Sequence, residues 1–404
     1  MRTTDEYSPT IQGGHRMRRK SNLIFFAVLF VVMILSNVYA ADVKRVNSYE
    51  EYVNSLEPGY KPVPKVVFDQ AIKEGQLNIY DWAAWWDERI YQDFTKIFGI
   101  KIVRDNFANY DEMMAKYRLN PNLEYDVVLP DFRAFLQLKD LGLVSPLNHD
   151  WLPNVATFIR PSFRDIPIDP GYKHMLLYGM GFAGYIVNTN YVDGNNPLIG
   201  SWKYLFEAPK DLPKNGKLIL RDNMYSVIGA ALQYLGYSQN SDDEKELMAA
   251  KEVLLKLKPF IMAFDGWPQR PVLEQQTWVT GPHSVGDYIN ALDKVPGLRI
   301  VLPEEGTDIR SSCLTLPKGG PHKAAAHLWI NYLFRTDRAV LHSLSAGQMS
   351  PNKDVHALLP EKAKAFVGFS ASDAYIEKSE LIEASAYTGQ GLVLRTKIWE
   401  DLKK

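Results

Sequence analysis

Cysteine is nearly absent from this chain. Its 404 residues include a single one, Cys313, so no disulfide can form within the molecule. Paired-cysteine redox and zinc motifs are excluded for the same reason. Cys313 stands in the run Ser-Ser-Cys-Leu-Thr-Leu-Pro, which is typical of a strand, and we predict a small buried apolar side chain there.

Motifs of catalysis and cofactor binding are missing as well. The eight histidines include no H-E-x-x-H pair, and no phosphate-binding G-x-x-x-x-G-K occurs. The sequence thus predicts no catalytic residue, no metal ligand and no cofactor. Charge of one sign is not in excess either, with 46 basic against 47 acidic residues. A chain without a basic surplus lacks the electrostatic footprint of nucleic-acid binding, so we expect no nucleic-acid partner.

The apolar run near the start of the chain is too short for a transmembrane anchor. Residues 23–35 are thirteen apolar residues, whereas a spanning helix needs about 20. A basic head precedes the run and Val38-Tyr39-Ala40 follows it, which is the pattern of a secretory signal peptide. We predict a signal over 1–40, with Met17 as an alternative start, and a periplasmic protein that begins at Ala41. An uncleaved membrane helix is the alternative interpretation.

Beyond the signal, short apolar runs alternate with amphipathic segments of ten or so residues, which is typical of parallel βαβ units. An apolar run at 182–188 predicts a strand that leads into a second lobe, and runs at 299–303 and 312–317 predict strands that return. We predict an α/β fold with two lobes joined by crossing strands and a ligand cleft between them. The expected boundaries are an N-terminal extension over 41–75 with one short helix at 49–55, a first lobe over 76–184 plus 311–347, and a second lobe over 185–310 plus 348–404.

Two glycine motifs call for an interpretation. Gly179 to Gly184 fits the dinucleotide pattern G-x-G-x-x-G, but the residues that follow favour a strand instead of the helix that such a site needs. We interpret this motif as close backbone packing where the chain crosses between lobes. The segment Gly281-Pro-His283-Ser284-Val-Gly286 has the wrong spacing for a serine nucleophile turn and is expected to be a loop that contacts a ligand.

An aromatic cluster, Tyr80-Asp-Trp82-Ala-Ala-Trp85-Trp86-Asp87, follows the first predicted strand. Open α/β sheets bind ligands at this rim. We predict that Trp82 lines the cleft and that at least one of the other two tryptophans packs in the core.

Several segments, in order, resemble the bacterial periplasmic spermidine/putrescine-binding proteins. They are Tyr80-Asp-Trp-Ala-Ala-Trp, Asp93-Phe-Thr-Lys-Ile-Phe-Gly-Ile-Lys-Ile, Tyr125-Asp-Val-Val-Leu-Pro, Gly184-Tyr-Ile-Val-Asn, Ser201-Trp-Lys-Tyr-Leu-Phe, Leu232-Gln-Tyr-Leu-Gly-Tyr-Ser and Ser350-Pro-Asn. The resemblance covers residues 76–360. It implies a two-lobed, type II-like periplasmic binding protein that captures a small molecule by cleft closure and delivers it to the membrane permease of an ABC importer.

At the positions where the family binds its ligand, this chain has different types of residue. Its acidic residue in the first motif is replaced by Ala84, and its acidic pair after the second-lobe strand by Asn223 and Ser226. The resemblance implies ligand contacts at Trp82, Trp85, Arg221, Asn223, Ser226, His283, Arg310, Ser312 and Gln348. Carboxylates that could still hold one amine are Asp81, Asp131, Asp222 and Asp287.

Compared with the family, the expected cleft has fewer carboxylates and has Arg221 and Arg310 nearby, so we expect it to be more positive. Because arginine forks suit carboxylate, phosphonate or sulfonate groups, we favour a zwitterion or small anion over a polyamine. A sensor subunit that presents its ligand to a membrane signalling protein is the alternative function, and an enzyme is a third possibility for which no nucleophile or base is identified.

Overall fold

A computed structural model describes residues 43–404 except 83–85, 165, 167, 212–217, 267–278, 290, 291 and 293. The strands are β1 Gln76–Trp82, β2 Lys101–Phe107, β3 Val127–Val128, β4 Val144–Ser145, β5 Met175–Asn188, β6 Leu218–Arg221, β7 Ile261–Asp265, β8 Val279–Ser284, β9 Leu298–Val301, β10 Asp308–Pro317 and β11 Glu380–Leu381.

Helices occupy the connections between these strands. The α-helices are α1 Tyr49–Asn54, α2 Lys65–Glu74, α3 Glu88–Phe98, α4 Tyr110–Leu119, α5 Phe132–Asp140, α6 Pro153–Phe158, α7 Trp202–Glu207, α8 Met224–Tyr234, α9 Glu244–Leu257, α10 Lys323–Leu333, α11 Thr336–Ala346, α12 Val355–Leu358, α13 Glu361–Lys364, α14 Asp373–Glu377, α15 Ala384–Tyr387 and α16 Gly389–Lys403. Short 3-10 helices span His149–Trp151, Pro161–Phe163, Pro170–Tyr172, Ala208–Asp211, Lys258–Phe260 and Val285–Tyr288.

The described strands form one sheet in the order β2-β1-β3-β10-β5-β8-β6-β7, with β4 and β11 on β10 and β9 on β5. Pairing is parallel towards both ends, where β1 pairs with β2 and β3, and β6 pairs with β7 and β8. It is antiparallel in the middle, where β10 pairs with β3 and β5. Parallel pairs require crossover connections, which the helices provide. The predicted α/β architecture is confirmed.

Strand β5 belongs to both halves of the sheet. From Met175 to Phe182 it pairs with β10, and from Ala183 onward it pairs with β8 and β9. All of its fourteen residues are buried, because the sheet is covered on both faces here. The predicted crossing strand at 182–188 is thus confirmed and begins earlier than expected, at residue 175.

The glycine motif lies entirely inside β5, so the helix that a dinucleotide site needs is absent from it. A Cβ built on Gly184 would lie 2.3 Å from Val301 O and 2.7 Å from a methyl group of Val285. No real Cβ approaches a backbone oxygen so closely, and the packing interpretation of this motif is confirmed. Cys313, in β10, is buried as predicted.

Residues Val46–Lys404 form one compact unit. The segment before β1 contains the expected helix, as α1, and a second one, α2, which the sequence analysis missed. Pro58, Pro62 and Pro64 make this segment look irregular in the sequence, but Pro64 stands at the N-cap of α2, where the missing N–H costs no hydrogen bond. Tyr52 of α1 stacks on Phe68 of α2 with ring centroids 5.2 Å apart. The segment is therefore packed structure.

Candidate functional site

Five of the residues implied as ligand contacts come together around the paired strands β5 and β10. Arg310 of β10 donates from Nη2 to Ser226 Oγ, 2.8 Å away at the start of α8. Two residues further along β10, Ser312 donates to Gln348 Oε1 at 2.9 Å. His283 belongs to the same cluster, because the nearby charges of Arg221 and Arg310 both lower the pKa of its ring. Residues far apart in the chain thus meet at the strand crossing.

His283 is a neutral member of this cluster. Its side chain is 1% exposed, and burial together with Arg221 and Arg310 holds its pKa well below the usual value. Thr280 Oγ1 lies 3.0 Å from His283 Nε2 and donates its own proton to Ile219 O. The histidine nitrogen is therefore the donor to Thr280, and Nδ1 carries the lone pair.

Asp308 is an acidic member of the cluster that the sequence analysis missed. Its Oδ2 lies 3.4 Å from Arg310 Nε. Burial raises the pKa of Asp308, while Arg310 and Arg221 oppose that shift. The alternation of β10 could have revealed this residue, because Asp308, Arg310 and Ser312 are spaced by two and share one face of the strand.

Asp131 begins α5 and caps it, since its Oδ1 accepts from Ala134 N at 2.7 Å. Burial raises the pKa of Asp131 to about 6, to which Asp308 and Asp111 contribute and which Arg133 opposes. The phenol of Tyr110 is close to this carboxylate, which helps burial to raise the tyrosine's pKa. Asp131 therefore keeps one oxygen for a ligand and carries a negative charge at neutral pH.

Trp82 and Asp131 both lie next to Tyr110. Its Nε1 donates to Tyr110 Oη at 3.2 Å, and its ring meets Phe107 edge to face at 5.0 Å. The indole is half-buried against a hydrophobic cluster of the first half of the sheet. Trp86 is 4% exposed and packs on Tyr178, which confirms that one of the other tryptophans is core. Trp85 lies outside the described residues.

Two further implied contacts are engaged in local structure. Asn223 caps α8, and its Oδ1 accepts from Ser226 N at 3.0 Å. Arg221 ends β6 in register with Asp265 of β7, and its charge acts on both His283 and Asp308. Asn223 thus positions Ser226, whereas Arg221 adds positive charge to the cluster.

The candidate amine carboxylates separate into different environments. Asp81 is buried away from the cluster, where it accepts from Tyr91 Oη at 2.5 Å and from Asn106 Nδ2 at 2.7 Å. Asp222 pairs with Lys403 at 2.6 Å. The side chain of Asp287 is outside the described part of the structure. Among the described ones, Asp131 is the predicted carboxylate that joins the cluster.

No group of three or more metal-binding side chains occurs within the described ranges. A separate groove of about 670 Å³ runs along β9 and the segment 367–378 and contains none of the predicted contacts.

Comparison with known proteins identifies the family. A sequence profile of the bacterial extracellular solute-binding proteins matches residues 89–369, which is more than half of the chain. The chain belongs to this family. This solute-binding protein is 29% identical over 289 residues to the spermidine/putrescine-binding periplasmic protein of Escherichia coli K12, covering 71% of this chain and 81% of the relative.

A second relative and a solved structure agree with the first. The putrescine-binding periplasmic protein SpuD of Pseudomonas aeruginosa is 25% identical over 339 residues, covering 81% of this chain and 90% of that protein. The structure of the spermidine/putrescine ABC transporter substrate-binding protein PotD of Streptococcus pneumoniae matches with a TM-score of 0.74 at 25% identity, covering 81% of this chain and 98% of PotD. The resemblance and the two-lobed fold predicted from the sequence are confirmed. In the described residues, no helix is both long enough and apolar enough to cross a membrane.

Proposed function

We propose that this solute-binding protein works in the periplasm as the receptor of an ABC-type importer, where it captures a small amine, zwitterionic or anionic solute and delivers it to a membrane permease. The named relatives are periplasmic polyamine-binding proteins, and the matching solved structure is an ABC transporter component. These relatives favour transport over sensing, and binding over catalysis. A cleaved signal peptide over residues 1–40 would place the protein in that compartment.

The observation that carries the proposal is the polar cluster at the strand crossing. Arg310 joins β10 to the start of α8, and Asp131 and Trp82 stand at the ends of β3 and β1. Open α/β sheets bind ligands at such positions. The cluster offers a carboxylate for an amine, arginine donors for an anion and an aromatic face for apolar atoms.

The proposed lobes follow the exchange of partners along β5. We assign residues 76–184 plus 311–347 to the first lobe and residues 185–310 plus 348–404 to the second. The change from β10 to β8 between Phe182 and Ala183 supports the first boundary. Closure of the two lobes on a solute is then a twist about β5 and β10.

A ligand screen on the mature protein from Ala41 tests this function. The panel combines polyamines, amino acids, aminophosphonates, sulfonates and small carboxylates, and thermal unfolding is the readout. A ligand at a hundred times its Kd adds about 2.7 kcal/mol to the free energy of unfolding, which is readily measured. We expect a class of these compounds to stabilise the protein and the stabilisation to fall in Trp82→Ala. If no compound raises the Tm, the proposed function is contradicted.

A control variant separates loss of the site from loss of stability. Leu119 is 88% exposed and lies outside the cluster, so Leu119→Ala should leave both the Tm and the ligand-induced shift unchanged. Trp82→Ala will also lower the Tm of the free protein because the indole packs on Phe107. The informative quantity is therefore the Kd, measured by calorimetric titration at a temperature where both variants are folded.

A further inference from the structure

Two glycines of β5 share one face of the strand and meet different neighbours. Gly179 pairs with Ser312 and Gly181 pairs with Arg310 in the antiparallel ladder. A Cβ on Gly179 would lie 2.1 Å from Gln348 Oε1 and 2.8 Å from His342 Cε1. The first glycine therefore makes room for the amide of Gln348.

The space above Gly181 is not filled in this way. The three nearest described atoms to a Cβ there would be Ser284 Oγ at 3.4 Å, Arg310 Cβ at 3.8 Å and Gln348 Nε2 at 3.8 Å. All three distances are ordinary contacts, so the position would accommodate a small group. Two of these three atoms are polar, and the three side chains come from β8, β10 and the turn after α11; we call them the Gly181 cradle.

Each side chain of the Gly181 cradle can present a hydrogen-bond donor. The Oε1 of Gln348 already accepts from Ser312, which leaves the Nε2 amide group for the cradle. Ser284 precedes a 3-10 helix without capping it, so its hydroxyl is not committed there. Arg310 donates from Nη2 to Ser226, and its Nε lies 3.4 Å from Asp308 Oδ2, so the guanidinium adds positive charge beside the cradle.

Charges of both signs surround the cradle. Arg310 belongs to it and Arg221 lies close by, while Asp308 faces both arginines and Glu380 acts on Asp308 in turn. His283 is neutral because burial and the two arginines lower its pKa. Of the three cradle side chains, only the Ser284 hydroxyl could accept from an ammonium group placed over Gly181, which leaves most protons of a desolvated ion unpaired.

We propose that the Gly181 cradle binds an oxyanion of the solute, namely a carboxylate, sulfonate or phosphonate, so that this protein takes a zwitterionic or anionic compound and not a simple polyamine. The inference rests on the proposed function, since it concerns one end of the same ligand. The amide and hydroxyl donors of Gln348 and Ser284 match the acceptor oxygens of such a group, and the nearby Arg310 charge favours an anion. Asp131, on the first half of the sheet, then remains for the amine of a zwitterion.

Gly181→Ala is the most direct test, because it fills the cradle with one methyl group. The Cβ distances of 3.4–3.8 Å predict no clash within the fold. Binding is measured by calorimetric titration with putrescine, γ-aminobutyrate and homotaurine, which differ in the group opposite the amine. We expect wild-type protein to prefer the two zwitterions, and Gly181→Ala to weaken their binding by about tenfold or more. Gly266→Ala, where no described atom beyond the chain neighbours lies within 4 Å of the new Cβ, is the matched control and should bind like wild type.

Gln348→Glu provides a second test with nearly unchanged shape. The new carboxylate would repel an oxyanion and attract an ammonium group, so we expect zwitterion binding to fall and putrescine binding to rise by about tenfold or more. The inference is overturned if wild type binds putrescine and neither zwitterion, or if both variants keep their zwitterion Kd within twofold. If none of the three probes and none of the wider panel binds, it is the proposed function that fails, which is a separate outcome.

Discussion

Asn154 and Asn331 hold each other in the interior of the protein. The Oδ1 of Asn331 accepts from Asn154 N at 2.8 Å, and Asn154 Nδ2 donates to Asn331 O at 3.0 Å. Their remaining polar atoms bind the backbone of Lys61, whose N–H donates to Asn154 Oδ1 at 2.7 Å and whose carbonyl accepts from Asn331 Nδ2 at 3.0 Å. The segment before β1 is thereby tied to helices α6 and α10.

We expect Asn331→Ala to lower the free energy of unfolding by about 1–3 kcal/mol, because buried partners at Asn154 and Lys61 lose their hydrogen bonds. Urea unfolding of the mature protein measures the change. Asn195→Ala, at an exposed position, should stay within about 0.5 kcal/mol of wild type. Equal effects of the two substitutions would show that the asparagine pair does not anchor the segment.

Asp81→Asn separates a structural carboxylate from a ligand-binding one. Asp81 accepts from Tyr91 and Asn106, and Arg104 lies 3.4 Å away. We expect a loss of about 1–3 kcal/mol in unfolding free energy and an unchanged ligand Kd. Asp222→Asn, which removes an exposed pair with Lys403, should change stability by less than about 1 kcal/mol. A higher ligand Kd in Asp81→Asn would show that Asp81 contributes to ligand binding.

Gly184→Ala distinguishes packing from any role of the glycine motif in binding. Its Cβ would come within 2.3 Å of Val301 O, so strand β5 or β9 must shift. Overpacking of this kind costs about 1–3 kcal/mol, which thermal unfolding would detect. Gly266→Ala is again the control, and a Gly184→Ala protein with wild-type Tm would refute the packing interpretation.

Asp131→Asn should alter the pH dependence of stability. Because its pKa is raised to about 6 in the folded protein, this carboxyl binds its proton more tightly in the folded than in the unfolded state. Its contribution therefore favours folding as the pH falls from 7 to 4 and is constant above about 7. Asparagine caps a helix as well as aspartate does. We expect wild type to gain about 1–2 kcal/mol relative to Asp131→Asn over this range, a value reduced for partial exposure. Parallel pH profiles of the two proteins would contradict the raised pKa.

The proposed signal peptide predicts a defined mature N-terminus. When the full chain is expressed in a Gram-negative host, we expect periplasmic protein that begins at Ala41. Terminal sequencing of the purified protein measures this directly. A substitution of Ala40 by a bulky residue such as tryptophan should block processing, whereas retention of residues 17–40 in the wild-type protein would argue for a membrane-attached form.

The crossing strand β5 could be predicted from sequence because its side chains are almost all apolar, which is the signature of a strand covered on both faces. The end of α3 could also be predicted, because Gly99 follows its last residue and adopts the left-handed conformation that glycine favours. The helix α2 was not, because a proline at a helix start and a proline in an irregular segment look alike in the sequence.

The site could be predicted only in part. The resemblance indicated that Ser226, Arg310 and Gln348 would meet, but Asp308 is not among the matched positions, and only its spacing from Arg310 along β10 points to it. The sequence also could not show which face of the sheet the Asp81 side chain lies on. Alternate residues of β1 face opposite sides of the sheet, and only the position of α3 decides which side is covered. Long-range contacts, such as that of Tyr91 with Asp81, carry no local signal.

The place of β10 in the sheet has a consequence for the order in which the chain becomes structured. This strand lies between β3 and β5, yet it is synthesised after every strand of the other half except β11. Until residue 317 has been synthesised, the strand that lies between β3 and β5 is missing, and the two parts of the sheet cannot pair. Closing so distant a contact is entropically slow, which favours a chain that completes its sheet only after residue 317 has been synthesised. Such a chain suits passage through a membrane pore in an extended state.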